Sequence, residues 1–100
     1  MPNFKLIIRQ AISEKKLIEF SYDGGKRVVE PHCLGTTTAG NLALRGFQVR
    51  GFSLSGGIPD WRMFELSKIV QLQVLAMSFT DPRPGYRRGD RGMEHIDSEL

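Results

Sequence analysis

The sequence has 100 residues, 40% apolar and 25% charged, which suits one small domain with one hydrophobic core. Its single cysteine, Cys33, excludes an internal disulfide and an all-cysteine metal site within one chain. The net charge of +3 is compatible with a phosphate-bearing partner without requiring one. We see no signal-peptide pattern and no apolar run approaching about 20 residues, so we expect a cytoplasmic protein.

The N-terminal stretch predicts an amphipathic helix over residues 4–16. Asn3 can cap the helix, and Lys15 and Lys16 stand at its C-terminal end, where cations interact favourably with the helix dipole. The apolar positions, spaced by three and four residues, are Phe4, Ile7, Ile8, Ala11 and Ile12. This stripe is the face that we expect to pack on the rest of the domain.

From residue 17 the apolar period changes to two, which is typical of strands. In the first strand Ile18, Phe20 and Tyr22 share a face, and the glycine-rich segment 23–26 predicts a hairpin turn. A second strand runs from residue 27 to about residue 34. It contains Pro31, which predicts an edge strand or a bulge.

Three more strands are predicted further along the chain. The third follows a turn at 35–40 and extends from about residue 41 to residue 49 or 50, and a flexible loop rich in glycine and serine covers 51–60. The fourth covers 61–66 and ends at a corner formed by residues 67 and 68. In the fifth strand the predicted inward residues are Val70, Leu72, Val74 and Ala76.

One helix followed by five short strands predicts a mainly β domain over residues 1–80, built as a small five-stranded barrel of the SH3 or Sm type. Residues 81–100 are rich in arginine, glycine and proline, so we expect an arm without a further core strand. We expect this arm to pack on the barrel or at an oligomer contact, and a partly disordered arm is the alternative. Its arginines either track a phosphate backbone or pair with nearby acids, and we favour pairing with Asp90, Glu94 or Asp97.

Several short segments occur in an order that resembles the WYL-domain family. They are Ala11-Ile12, LIEFSY at 17–22, RVVEP at 27–31, the strand with Leu44 and Phe47, and then Phe64, Leu66 and Lys68-Ile69. The resemblance covers residues 4–80, and the PRPGY segment at 82–86 is similar to the tail of short stand-alone members. The motif that names the family falls on Leu42-Ala43-Leu44, so only its leucine is present, and Lys68 stands where the family has arginine.

The resemblance implies a helix plus an Sm-like barrel that acts as a ligand-sensing or regulatory module. Such modules are linked to transcription control and phage defence, with nucleotides or single-stranded nucleic acid as suspected ligands. Basic residues with aromatic neighbours also recur along the chain, and a nucleic-acid site combines cations for phosphates with rings for bases. The candidate ligand-binding residues are Arg27, His32, Arg45, Gln48, Arg50, Trp61 and Lys68.

Catalysis and metal binding find little support. His32 and Cys33 are adjacent in a strand, so their side chains point to opposite faces and form neither a catalytic pair nor a metal site. The serines lack a nucleophile motif; they include Ser21, Ser53, Ser55 and Ser67. We therefore expect a non-enzymatic domain without cofactor or metal.

Two alternatives to ligand binding are a protein-interaction module that docks on a larger partner, such as a defence effector, and an oligomeric scaffold. Edge pairing makes a homodimer a further expectation.

Overall fold

The computed structural model describes residues 3–53 and 56–100. Leu54 and Ser55, which belong to the predicted loop 51–60, lie outside the described residues, as do the first two residues. The elements are α1 (Phe4–Glu14), β1 (Lys16–Tyr22), β2 (Gly25–Thr37), β3 (Leu42–Gly51), β4 (Asp60–Glu65), a short 3-10 helix (Leu66–Lys68), β5 (Val70–Ser78) and β6 (Met93–Glu99).

The predicted N-terminal helix is confirmed, with an end two residues earlier than expected. The Asn3 side chain accepts a hydrogen bond from the Leu6 amide at 3.2 Å, so it caps α1 as predicted. Lys15 ends the helix in a left-handed conformation, with φ 55°, and its amide donates to the carbonyls of Ala11 and Ile12.

The six strands form one antiparallel sheet in the order β4-β3-β2-β1-β5, and β6 pairs with β2. The 13 residues of β2 serve two neighbours, since its first part pairs with β1 and its last part with β6, while β3 pairs along most of its length. The mainly β fold with one helix is therefore confirmed. Among the described residues β4 and β5 do not pair with each other, so the sheet is not closed.

Pro31 lies at an irregularity of the central strand rather than on an edge strand. The pairing of β2 with β3 shifts register between Pro31 and Cys33, which is also where β2 passes from the β1 neighbour to the β6 neighbour. Proline lacks an amide proton, so it fits a place where the ladder is interrupted. The predicted bulge is confirmed, whereas the edge alternative is wrong.

The helix packs on the sheet through its predicted apolar stripe, of which Ile8, Ala11 and Ile12 are buried. The same core holds the rings of Phe20, Tyr22 and Phe64. Phe64 contacts both other rings edge to face, with centroids 4.9 and 5.1 Å apart. Edge-to-face contacts are favourable because the positive edge of one ring meets the negative face of the other. The three rings pack together in the core between β1 and β4.

The predicted inward face of β5 is wrong. Val70 and Val74 are 53% and 45% exposed, Ala76 is exposed, and only Leu72 packs against the core. Gln71 has φ 56°, and the pairing with β1 shifts register in two places. A bulge of this kind breaks the alternation of side chains on which the prediction depends.

The expectation that residues 81–100 contain no further strand is also wrong, because β6 joins the sheet there. Met93 is buried with Cys33 and Ala43 in a second small core. The guanidinium of Arg9 also binds Asp97 through both carboxylate oxygens at 2.8–3.1 Å, which ties α1 to β6.

In the described part of the chain, no helix is long and apolar enough to cross a membrane.

Candidate ligand cleft

An open cleft of about 520 Å³ lies between β3, β4 and the segment that joins β5 to β6. We call residues 82–92 of that segment the arm loop. The cleft is lined by Arg45, Trp61, Gly85, Tyr86, Arg87, Arg88, Gly89, Asp90 and Arg91. Its volume falls within the range of about 300–1,000 Å³ that is usual for small-molecule sites.

Contacts to β2 and β4 hold the start of the arm loop in place. The guanidinium of Arg83 donates to both carboxylate oxygens of Glu30, at 2.7 and 2.9 Å. The backbone amide of Arg83 donates to Nε2 of His32 at 3.1 Å. Trp61 adds a hydrogen bond from its indole nitrogen to the carbonyl of Pro84 at 3.3 Å. The loop therefore covers β2 and β4 as an ordered part of the domain.

Two stacked rings form the aromatic part of the cleft. Trp61 and Tyr86 lie 6.0 Å apart between centroids with an angle of 24° between their planes. Beneath them the fully buried His32 ring contacts both, at 4.7 and 5.1 Å, and stacks on Phe79 at 5.5 Å. His32 thus supports the two rings from inside the protein.

The hydrogen bonds of His32 define its protonation. Nε2 accepts from the Arg83 amide, so the ring proton is on Nδ1, which lies 2.8 Å from the Glu30 carbonyl oxygen. Burial lowers the pKa of this imidazole, more than the favourable Glu30 contacts raise it. The neutral ring is therefore the form that the fold selects.

The cleft is strongly cationic. Four of its lining residues are arginines and one is an acid, Asp90, which leaves a formal charge of +3 at the lining. Within the described residues, the side chains of Arg87 and Arg91 make neither a hydrogen bond nor an ion pair. Arg88 pairs with Glu99 at 3.2 Å but stays 72% exposed. The cleft thus holds cations that are available to a ligand.

Arg45 differs from these arginines because it already has an anionic partner. Its Nε donates to Oδ2 of Asp90 at 2.8 Å, while Oδ1 of Asp90 accepts from the Gly92 amide at 2.8 Å. Burial opposes the charged form of Asp90, but the hydrogen bonds from Arg45 and Gly92 prevail and lower the pKa of this carboxyl. The carboxylate is therefore stable inside the cleft.

Of the seven predicted ligand-binding residues, the structure brings two into the cleft, Arg45 and Trp61. His32 lies directly behind them. Gln48 is fully buried, and its amide donates to the carbonyls of Arg50 and Phe52 at 3.1 and 2.9 Å.

Arg27 is also an interior residue, only 4% exposed. Its guanidinium lies 5.4–5.8 Å from the ring centroids of Tyr22, Phe52 and Phe64 and donates to the Tyr22 carbonyl at 3.0 Å. Burial lowers its pKa. The side chain of Arg27 therefore has its partners inside the fold.

The remaining two candidates are exposed but do not line the cleft. Lys68 pairs with Glu65 at 3.5 Å in the 3-10 helix, and Arg50 stands near the end of β3. Arg50 is a third arginine whose side chain makes no hydrogen bond or ion pair with described residues. It is therefore a matched control for the unpaired arginines of the cleft.

Sequence reasoning missed the arm loop as the source of most lining residues. The arginines and glycines around Tyr86 are the sequence signal for it, but the same segment also favours pairing of these arginines with Asp90, Glu94 or Asp97. Those partners are wrong for Arg87, Arg88 and Arg91, because Asp90 binds Arg45, Asp97 binds Arg9, and Arg88 binds Glu99.

Neither thiol nor metal chemistry is apparent in this region. Cys33 is fully buried, and burial raises the pKa of its thiol to about 12, so it is held as an inert thiol. Residues 3–53 and 56–100 contain no group of three histidine, cysteine or acidic side chains that could hold a metal ion.

Comparison with known protein families, with curated proteins and with solved structures gives no match.

Proposed function

We propose that the protein is a cytoplasmic, non-enzymatic regulatory or accessory domain that binds a nucleotide or a short single-stranded nucleic acid in the arm-loop cleft. The observation that carries this proposal is the meeting of four arginines with the stacked rings of Trp61 and Tyr86 around one cleft. Planar guanidinium groups suit phosphate oxygens, and aromatic rings provide stacking surfaces for bases.

The proposal extends to the fold class. We propose that α1 and the path of β1 to β5 form a WYL-like, Sm-type domain, to which β6 is added. The order of one helix and five strands supports this assignment, as does the position of β4 and β5 at the two ends of the strand path. A closed barrel would pair these two strands, and because they do not pair among the described residues, we propose an open form of this architecture.

Trp61 provides a direct test, because it is the only tryptophan of the chain and it lines the cleft. Titration with single-stranded DNA and RNA oligonucleotides and with ATP should quench its fluorescence at low salt. The double variant Arg87→Ala/Arg91→Ala should weaken binding by about tenfold or more, since it removes both unpaired cations of the cleft.

Arg50→Ala is the matched control, because it also removes an exposed arginine without an ion pair but lies outside the cleft lining. The affinity of this variant for the oligonucleotides and for ATP should stay within about twofold of the wild-type value. Equal losses in the control and in the double variant would mean that only overall charge matters. Absence of binding to every probe at low salt would refute the proposal.

The edge strand β5 favours a second candidate function, docking on a protein partner. Residues 70–78 contain no charged residue, and Val70, Val74 and Met77 are 53%, 45% and 46% exposed. An uncharged edge strand with apolar side chains can pair with an added strand of a partner.

The affinity of such docking should hardly change with salt and should be lost in Val74→Lys, whereas the affinity of ligands for the cleft should weaken with salt. A second copy on the same edge would appear as a homodimer in sedimentation.

A further inference from the structure

The cleft contains an anion of its own. The Asp90 carboxylate, 13% exposed, is the one acidic group among the described residues that line the cleft, and it lies 2.8 Å from Nε of Arg45. Its second oxygen is 3.5 Å from Nη2 of the same guanidinium. Asp90 therefore occupies the side of the Arg45 fork that a phosphate would use.

A phosphate that enters the cleft must compete with this carboxylate for Arg45. An internal phosphodiester carries one negative charge, the same as Asp90, and has no charge advantage. A terminal phosphate carries about −1.5 to −2 near neutral pH, so it can outcompete a carboxylate for the same guanidinium.

The arm loop can tolerate such an exchange of partners. Its start is held by the Arg83–Glu30 pair and by the hydrogen bond from Trp61 to the Pro84 carbonyl, neither of which involves Arg45. Asp90 would also keep its bond from the Gly92 amide. The loop therefore need not unfold when Arg45 changes its partner.

The shape of the cleft and the placement of its free cations point to a small ligand. Arg87 and Arg91 stand four residues apart on one loop, and Arg50, the third arginine that has no partner among the described residues, does not line the cleft. An extended strand needs a groove with cations along its length, whereas a cleft of about 520 Å³ fits one compact ligand.

We propose that Asp90 is an internal competitor for Arg45 and that it selects a small nucleotide with a terminal phosphate over phosphodiesters. This inference rests on the proposed function, since it names the ligand class and the regulation of the same cleft. Asp90 blocks Arg45 until a dianionic phosphate displaces it, while Arg87 and Arg91 provide the first attraction.

The test is calorimetric titration of the full chain with ATP, AMP and cyclic AMP. AMP and cyclic AMP share the base and the sugar, but cyclic AMP is a monoanionic diester. The wild type should bind AMP about tenfold tighter than cyclic AMP. Asp90→Asn should raise the affinity for cyclic AMP by about tenfold and the affinity for AMP by less, so that the difference between the two affinities narrows.

Two variants identify the cause. Glu94→Gln changes the charge by the same amount within the same C-terminal segment, and Glu94 is exposed and makes no hydrogen bond or ion pair with described residues, so its effect should stay below about twofold. In an Arg45→Ala background, Asp90→Asn should no longer improve binding, because the blocked cation is absent. If Asp90→Asn fails to fold, Arg45→Ala alone decides: it should narrow the difference between the AMP and cyclic AMP affinities, whereas an unchanged difference would come from ligand charge at the other arginines and would overturn the inference.

The outcomes separate the inference from the proposed function. Equal affinity for AMP and cyclic AMP in the wild type would overturn the inference and leave the proposed function intact. Binding of oligonucleotides without binding of nucleotides would do the same. Absence of binding to nucleotides and oligonucleotides in the wild type and all variants would overturn both.

Discussion

At the scale of single residues, Arg27 shows how a cation can serve the interior of a small domain. Three rings surround its guanidinium, and within the described residues its Nε has no hydrogen-bond partner. Removal to alanine leaves a cavity and loses the cation–π contacts, so Arg27→Ala should lower the free energy of unfolding by about 2–3 kcal/mol. Urea denaturation followed by circular dichroism measures this change.

Arg27→Met is the control, because a buried charge with incomplete partners can often be replaced by an apolar side chain of similar length. The free energy of unfolding of Arg27→Met should lie within about 1 kcal/mol of the wild-type value. A loss as large as that of the alanine variant would show that the charge itself is required. Neither variant should change the affinity of the cleft, since Arg27 does not line it.

The sequence could predict which residue types a phosphate site needs, but not which arginines are accessible. Arg27 and Arg45 both lie in predicted strands, yet the first is under three rings and the second reaches the cleft. Burial of each arginine depends on contacts between distant segments, such as Phe52 and Phe64 closing over Arg27. Local patterns do not contain that information.

His32 makes the stability depend on pH. Its folded-state pKa is lowered by burial, so the unfolded chain binds a proton more readily. The stabilisation from the neutral ring is therefore present above the unfolded pKa of about 6.5 and is lost as the pH falls towards the folded pKa. The free energy of unfolding should decrease between about pH 7 and about pH 5, as measured by urea denaturation.

Substitution of the two histidines identifies the responsible group. His32→Gln should reduce this pH dependence, because the group that titrates is gone. His95→Gln should retain it, since His95 is an exposed residue of β6. The attribution to His32 is contradicted if the His95 variant, rather than the His32 variant, loses the pH dependence.

At the scale of elements, the ion pair between Arg83 and Glu30 fastens the arm loop to β2. Glu30 is 6% exposed at its side chain and Arg83 is 42% exposed, so only the acid loses most of its solvation. Arg83→Ala leaves a buried carboxylate without its partner and should cost about 2–3 kcal/mol of unfolding free energy. Thermal and urea denaturation of the variant check this value.

The double variant Arg83→Ala/Glu30→Gln separates the buried charge from the lost contact. It should regain about half or more of the lost stability, because a neutral amide is less costly to bury than an unpaired carboxylate. If it is as unstable as Arg83→Ala, the cost comes from the packing of the Arg83 side chain over Phe47 instead.

Elements with regular periodicity, including the existence of β5, could be predicted from the sequence, whereas the inward face of β5 and the existence of β6 depend on distant contacts and could not. The stripe of α1 and the alternation in β1 match the burial of Ile8, Ile12, Ile18 and Phe20. In β5 the left-handed Gln71 and two register shifts against β1 break the alternation of side chains, and no local signal marks them. In β6 the polar residues form a strand because β2 extends beyond β1 and offers free backbone groups.

At the scale of the whole molecule, the net charge of +3 is small and many basic side chains are already paired with acids or carbonyl groups. The salt dependence of ligand binding should therefore come from the cleft. Each phosphate contact on a single strand contributes about −0.7 to the slope of log affinity against log salt. Arg45 adds little to this slope, because the ligand phosphate replaces the Asp90 carboxylate there rather than a bound counterion. With Arg87 and Arg91 free, a terminally phosphorylated oligonucleotide should give a slope of about −1.4.

The double variant Arg87→Ala/Arg91→Ala should bind with a slope near zero, whereas Arg50→Ala should keep the wild-type slope. Fluorescence titrations of Trp61 over a series of salt concentrations measure all three. A wild-type slope of about −4 or steeper would contradict this prediction, because it would require phosphate contacts along a surface longer than the cleft. A slope near −1.4 that does not grow with oligonucleotide length would mean that the protein holds the phosphorylated end of a strand, as a cleft of this size requires.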